Sequence, residues 1–194
     1  MSNDEIRLVE LAQKGDNRAL TELVKLHSPK IYNLGLRMMR NEKDAEDVLQ
    51  ETFLTMVKKI HTFKGKSTLY TWLYRVAMNI SLERLKDKHR TQVSLSIDDP
   101  AYENLGQFEP MVLPEFTDEK LSDKQFRSYL NTAMEDLNDK LRAVFILRDI
   151  EGKTVADTAK ILDLSESNVK VRLMRARLAL RDRLSEIFKQ EDWT

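Results

Sequence analysis

The chain of 194 residues contains no cysteine, which removes disulfide frameworks and thiolate metal sites from consideration. Glycine and proline are scarce, at five and four residues, while Leu, Lys, Glu, Arg and Ala are plentiful; that balance favours a chain built of helices. No apolar run approaches the roughly 20 residues of a membrane span, and the N-terminal MSNDEIRLVE lacks the apolar core of a secretory signal. A cytoplasmic protein with no membrane insertion is therefore expected. Equally missing are a Gly-rich phosphate loop, a Ser/His/Asp or Cys/His constellation and any metal-ligand spacing. None of His27, His61 and His89 has an acid three residues before it, as a bundle metal site requires, and they read as ordinary polar residues. The expectation is a protein without catalytic residues, metal, cofactor or small-molecule substrate.

Net charge of one sign is also absent, the formal total being +0, but the charges are unevenly placed. Residues 57–90 carry nine basic residues against two acidic ones, whereas 96–123 carry eight acidic residues against Lys120 alone. Two basic surfaces separated by an acidic segment suggest a polyanionic partner and a spacer that avoids it.

Along the chain, apolar spacing predicts short helices from Asp4 to about His27 with a break at Lys14-Gly15-Asp16, and a further helix opened by Pro29 and ending at Arg40-Asn41. Its Met38-Met39 pair reads as core filling. The next helix, Asp44 to Ile60, is acidic in its first half and closes on Lys58 and Lys59, an order that complements the helix dipole. Phe63 to Thr68 is a loop, and Leu69 to Lys88 returns to helix. Around that loop Phe63, Tyr70, Trp72 and Tyr74 interleave with Lys64, Lys66, Arg75, Arg84 and Lys86. Rings stack on unpaired bases at about 1–3 kcal/mol each while cations follow the backbone, so the cluster points to single-stranded nucleic acid; for Trp72 and Tyr74 a core position is an equal alternative. From Thr91 to about Leu121, Pro100, Pro110, Pro114 and Gly106 interrupt periodicity in an acidic linker. Fully extended, such a segment reaches on the order of 100 Å.

Helix signals resume at Ser122, and Leu137 to Ile150 forms a helix ended by Gly152. Thr154 to Leu184 then reads as a helix-turn-helix. Val155, Ala156, Ala159, Ile161 and Leu162 stripe a short helix, Asp163-Leu164 turn, and Ser165 caps a second helix through the N–H of Asn168. From Lys170 to Arg183 that helix carries Lys170, Arg172, Arg175, Arg177, Arg181 and Arg183 against Asp182 only, a cationic rod suited to a phosphate backbone. The fold class expected is all-α: an N-terminal helical bundle and a C-terminal helix-turn-helix domain joined by an acidic, Pro-containing linker, with boundaries at 1–92, 93–121 and 122–194.

Three motifs in order, DAEDVLQETF (Asp44–Phe53), FKGKSTLYTWLYRVAMN (Phe63–Asn79) and SESNVKVRLMRARLAL (Ser165–Leu180), resemble the extracytoplasmic-function (ECF) group of sigma-70-type RNA polymerase sigma factors. The resemblance implies that Asp47, Gln50, Glu51, Phe53 and Val57 bind the clamp helices of the core polymerase's largest subunit, and that the helix from Leu137 to Arg148 meets the flap of the second-largest. It implies that Phe63, Lys64, Gly65, Lys66, Ser67, Thr68, Leu69, Tyr70, Trp72, Arg75 and Asn79 serve the proximal (−10) promoter element as its strand opens. On the same basis Arg148, Ser165, Lys170, Val171, Arg172, Met174 and Arg175 serve the distal (−35) element as duplex. An anti-sigma factor, capable of holding the protein at the inner membrane, is a further expected partner. Asp163 stands where the family's turn commonly has Gly, and an Asp tolerates a left-handed turn. Two rival readings are a stand-alone duplex-binding regulator, which would not need Tyr70 to Asn79, and a helical adaptor that binds only protein, which would not need Lys170 and Arg175.

Overall fold

The computed structural model describes residues 2–91 and 123–191, and every regular element among them is helical. The expected linker 93–121 and the expected cap Ser122 lie outside the described residues. The first unit comprises α1 (Asn3–Gln13), α2 (Asn17–Met39), α3 (Glu42–Lys59), a 3-10 turn (Ile60–Thr62) and α4 (Leu69–Thr91). Side-chain caps define the starts: Ser2 accepts from the N–H of Glu5, Asp16 from those of Arg18 and Ala19, and Asn41 from that of Asp44. The chain breaks between α1 and α2 at Gly15, whose φ of +89° suits glycine, and α2 closes on a left-handed Arg40.

Pro29 corrects one expectation. Instead of opening a helix it sits inside α2, which runs for 23 residues. Proline forfeits an N–H bond in the helix interior, and the buried stripe of Leu23, His27, Ile31, Leu34 and Met38 carries α2 through that loss. Facing residues Val48, Met56, Leu69, Leu73, Tyr74 and Met78 have no solvent exposure and complete the core, which also takes Met39. Burying each such side chain contributes about 1.5–3 kcal/mol. His27, expected to be an ordinary polar residue, is 5% exposed and faces the Glu5 carboxylate at 3.2 Å.

The second unit comprises α5 (Asp123–Glu135), α6 (Asp139–Phe145), a π-helical turn (Ile146–Ile150), α7 (Val155–Leu162) and α8 (Glu166–Glu191). The helix expected from Leu137 starts two residues later because Asn138 caps it, accepting from the N–H of Lys140 at 2.9 Å. At its end the N–H of Glu151 reaches back to the carbonyl of Ile146, and a left-handed Gly152 lets the N–H of Lys153 bond to Leu147, both at 2.8 Å. Val144, Phe145, Val169, Leu173, Ala176, Leu180 and Leu184 make a second core, extended by an edge-on contact of Tyr129 and Phe188 at 5.4 Å. The two units touch: Ala143, Ile146, Leu147 and Ile161 pack into the first core. No described helix is long and apolar enough to cross a membrane.

Candidate nucleic-acid interface

The helix-turn-helix is built locally. Thr154 caps α7 by accepting from the N–H of Asp157 at 3.0 Å, and Asp163 turns the chain in the left-handed region with φ +55°. Ser165 then caps α8 by accepting from the N–H of Asn168 at 3.2 Å, as its sequence position suggested. Val169, Leu173 and Ala176 are drawn inward, so the helical register turns Lys170, Val171, Met174 and Arg175 to the other side. Lys170 and Val171 are exposed, Val171 by 42%, while Arg172, Met174 and Arg175 are half-buried. Burial and then the neighbouring Arg175 charge pull the Arg172 guanidinium below its usual value. Arg148 donates to the carbonyl of Lys153, which holds its side chain back along the loop before α7.

The expected cationic rod is divided. Arg177 forms a two-point bond with Asp149 at 2.8 and 2.6 Å, which raises its guanidinium, while Arg181 pairs with Asp182 and Arg183 with Asp136 and Glu186. Lys170, Arg172 and Arg175 have no ion pair among the described residues. The uncompensated charge thus sits in the first turns of α8, the end a recognition helix presents to base edges.

In the proximal set, the loop residues Lys64, Gly65, Lys66, Ser67 and Thr68 are exposed, with Gly65 at φ +67°. The Thr68 hydroxyl caps α4 by accepting from the N–H of Thr71 at 3.1 Å. Arg75 and Asn79 are exposed on α4, and half-buried Trp72 stands against Phe63 with ring centroids 5.9 Å apart. The other rings divide differently. Leu69 and Tyr74 are fully buried, and Tyr70 packs on Tyr74 at 4.3 Å with its hydroxyl turned to Glu151. Burial raises both phenols, Tyr70 to about 12 and Tyr74 further. Of the interleaved aromatics, Phe63 and Trp72 therefore border the loop surface, while Tyr74 belongs to the core.

A residue absent from the sequence expectations secures this loop. Gln13 Nε2 donates to the carbonyls of Phe63 at 2.8 Å and Ile60 at 3.2 Å. Beside it a groove of about 260 Å³ is lined by Ile6, Val9, Glu10, Gln13, Phe63, Lys64 and Gly65. A contact linking residues 50 apart has no signature in periodicity.

On α3, Asp47 and Glu51 share Arg84 of α4, at 3.0 and 2.9 Å, and Asp44 pairs with Lys88. The Glu51 bond is the main cause of the raised Arg84 guanidinium, and the Asn41 amide followed by Lys88 lowers the Asp44 carboxyl. Gln50 is exposed and Phe53 is 8% exposed, so Phe53 supports the helix from within; Val57 is 49% exposed and shares its face with Leu54 at 50%. Leu54, which the sequence reading passed over, makes this an apolar spot beside an acidic one.

The family model described as Sigma-70 region 2 matches residues 23–91, and that described as Sigma-70, region 4 matches residues 127–180. The ECF RNA polymerase sigma factor SigW of Bacillus subtilis is 30% identical over 183 residues, covering 92% of this chain and 96% of that protein. The ECF RNA polymerase sigma-E factor of Escherichia coli K12 is 30% identical over 186 residues, covering 94% and 95%. In fold, the chain is similar to CnrH, solved in complex with the cytosolic domain of CnrY, with a TM-score of 0.64 at 23% identity over 95% of this chain and 99% of that one. It is also similar to the sigma factor RpoE of Bartonella quintana, solved with the anti-sigma factor NepR, with a TM-score of 0.62 at 22% identity over 85% and 96%.

Proposed function

The chain belongs to the ECF group of sigma-70-type RNA polymerase sigma factors, and from that premise we propose that it is a non-catalytic promoter-specificity subunit of the bacterial cytoplasm. It binds core polymerase, reads a distal element as duplex and a proximal element as the strand opens, and is held inactive by an anti-sigma partner. The observation that carries this reading is the capped turn into α8, whose first turns expose Lys170 and Val171 with the cations Arg172 and Arg175 alongside.

In this reading Lys170 and Arg175 supply hydrogen bonds to base edges in the major groove, Val171 and Met174 apolar contact, and Arg148 and Arg172 phosphate contact. The loop Lys64–Leu69, with Phe63, Trp72, Arg75 and Asn79, captures a base that has left the stack, supplying the ring surface it has lost. Leu69 acts from beneath as the anchor of that loop, and Tyr70 reaches the strand only once its hydroxyl leaves Glu151. Asp47, Gln50, Glu51 and Val57 face the polymerase clamp. The divisions 1–92, 93–121 and 122–194 are the corresponding working parts.

Transcription from a promoter library with purified core polymerase tests the reading, and absence of promoter-specific transcripts would sink it. Arg175→Ala should cost about 1–3 kcal/mol and relax one position of the distal element, whereas Arg172→Ala should weaken all sequences alike and flatten the salt dependence. Equal losses on every promoter for both variants would contradict the assignment of Arg175 to base readout.

A further inference from the structure

A carboxylate lies in the seam between the two units, outside every surface assigned above. Glu151 follows the π-helical turn, and the left-handed Gly152 after it directs the chain back over the first unit. One oxygen accepts from Arg37 Nη1 at 2.6 Å, and the other accepts from the hydroxyls of Tyr74 at 2.6 Å and Tyr70 at 3.2 Å. The Glu151 side chain is only 14% exposed. Lys153 closes the arrangement from above, its Nζ 3.8 Å from the Tyr70 ring centroid and 5.0 Å from that of Tyr74. Around this centre Arg142, fully buried, donates to the carbonyl of Met38 at 3.3 Å, and Arg40 stands 3.8 Å from Asp139.

All three donors to Glu151 come from α2 and α4, so the carboxylate is held entirely by the other unit. A partly buried ion pair such as this one, its Arg37 side chain 37% exposed, adds little net stability, yet its directional bonds accept one docking geometry and penalise others. Apolar contact through Ile146, Leu147 and Ile161 supplies adhesion without direction. The carboxylate supplies the direction.

We propose that Glu151 is the latch of a closed state, in which its carboxylate on Arg37, Tyr70 and Tyr74 holds the helix-turn-helix unit against α2 and α4 in the free chain. The closed state is incompatible with reading two promoter elements, a consequence that rests on the function proposed above. A compact chain of this length has a radius of gyration of about 16 Å and so a diameter of roughly 40 Å, whereas two reading heads about two duplex turns apart must span roughly 70 Å. Closure also seals Tyr70 under Lys153. Release of the Glu151 carboxylate is therefore a step on the way to promoter engagement, and an exchange of partners for Tyr70.

Because the chain has no cysteine, Arg18→Cys and Ser185→Cys, both at exposed positions on different units, can be spin-labelled in the full-length protein and their separation measured by pulsed EPR. The free parent should give one narrow, short distance. Glu151→Gln, which keeps shape and removes charge, should raise the population at long distance at least tenfold. Arg37→Met should do the same, and the double variant should exceed neither, since both remove one interaction. Far-UV circular dichroism confirms that each variant remains helical. Unchanged short distances in both helical variants would overturn the latch, as would a broad, long distribution in the free parent. Core polymerase and promoter DNA, added to the parent, should lengthen the distance. If the free-chain distances respond to Glu151→Gln but no promoter-specific transcription occurs, the latch stands and the sigma-factor role falls; if transcription is promoter-specific but neither variant shifts the distances, the latch alone falls.

Discussion

Replacing Gly35 by Ala sets helix propensity against packing. Gly35 lies inside α2, about one turn from its C-terminal end, where Ala is favoured over Gly by about 0.8–1.0 kcal/mol; by propensity alone the substitution stabilises. The fold opposes it. A Cβ at position 35 would stand 3.3 Å from the carbonyl oxygen of Ala45, 3.4 Å from its Cα and 3.6 Å from its Cβ. The two nearest atoms are backbone of α3, which cannot rotate away as a side chain would. Overpacking of this kind costs about 1–3 kcal/mol, so the net expectation is destabilisation of up to about 2 kcal/mol, or a lowering of the melting temperature by about 2–4 °C per kcal/mol. Urea midpoints followed by far-UV circular dichroism measure it. A companion variant locates the cause: adding Ala45→Gly should restore little, because it removes only the farthest of the three atoms. A rise in midpoint for Gly35→Ala, equal to the full propensity gain, would show that α2 and α3 do not approach closely there.

Two further perturbations probe the base of the proximal surface. Burial pulls the His27 imidazole below its usual value, against the raising effect of Glu5 and with a smaller lowering effect from Lys30. The folded state therefore takes up this proton less readily than the unfolded chain, and stability should decline as pH falls below about 6.5. The decline continues until the lowered value is passed; His27→Gln should remove this part of the pH slope in urea midpoints, and an unaltered slope would refute the buried neutral imidazole. Gln13→Ala should cost about 0.5–1.5 kcal/mol or less, yet speed hydrogen exchange of the amides at 60–66 while leaving α8 untouched, and shift the proximal-element preference in the promoter library. Unchanged exchange at 60–66 would mean that Gln13 does not hold the loop.

The parts of this molecule legible in its sequence are those governed by near neighbours. Ser165 with Asn168, and the turns at Asp163 and Gly152, are each decided within three or four residues, the range over which capping and turn chemistry operate. Helix boundaries failed where a longer-range preference overrode the local signal. Pro29 marks a helix start by local rules, but the stripe from Leu23 to Met38 needs one continuous helix to cover the core. The interleaved rings could not be sorted in advance because Tyr74 is assigned by a partner 77 residues away, and Phe63 with Trp72 by the turn between them. His27 and Glu5 likewise meet only after α1 folds back on α2.

Charge is where the fold alters the reading most. By segment, both 57–90 and the second half of the helix-turn-helix look uniformly cationic. In the fold, Arg84 serves Asp47 and Glu51, Lys88 serves Asp44, Arg177 serves Asp149, and Arg183 serves Asp136 and Glu186. A cation already holding a carboxylate releases fewer counterions on meeting a phosphate than one facing only solvent. The pairings therefore act as a filter on the basic stretches. They occupy Arg84 and Lys88 on α4 and Arg177, Arg181 and Arg183 in the second half of α8, and among the described residues they leave Lys64, Lys66 and Arg75 beside the loop, and Lys170, Arg172 and Arg175 at the start of α8, without ion pairs, as they do Lys58, Lys59 and Lys86. Each of the two surfaces assigned to promoter DNA thus keeps a group of cations free of carboxylates, although the motif resemblance that selected those residues made no use of ion pairing. A net charge of +0 is thus compatible with two separate sites for a polyanion, because acidic residues 28 to 47 positions away along the chain cancel Arg177, Arg84 and Arg183, which lie outside those sites.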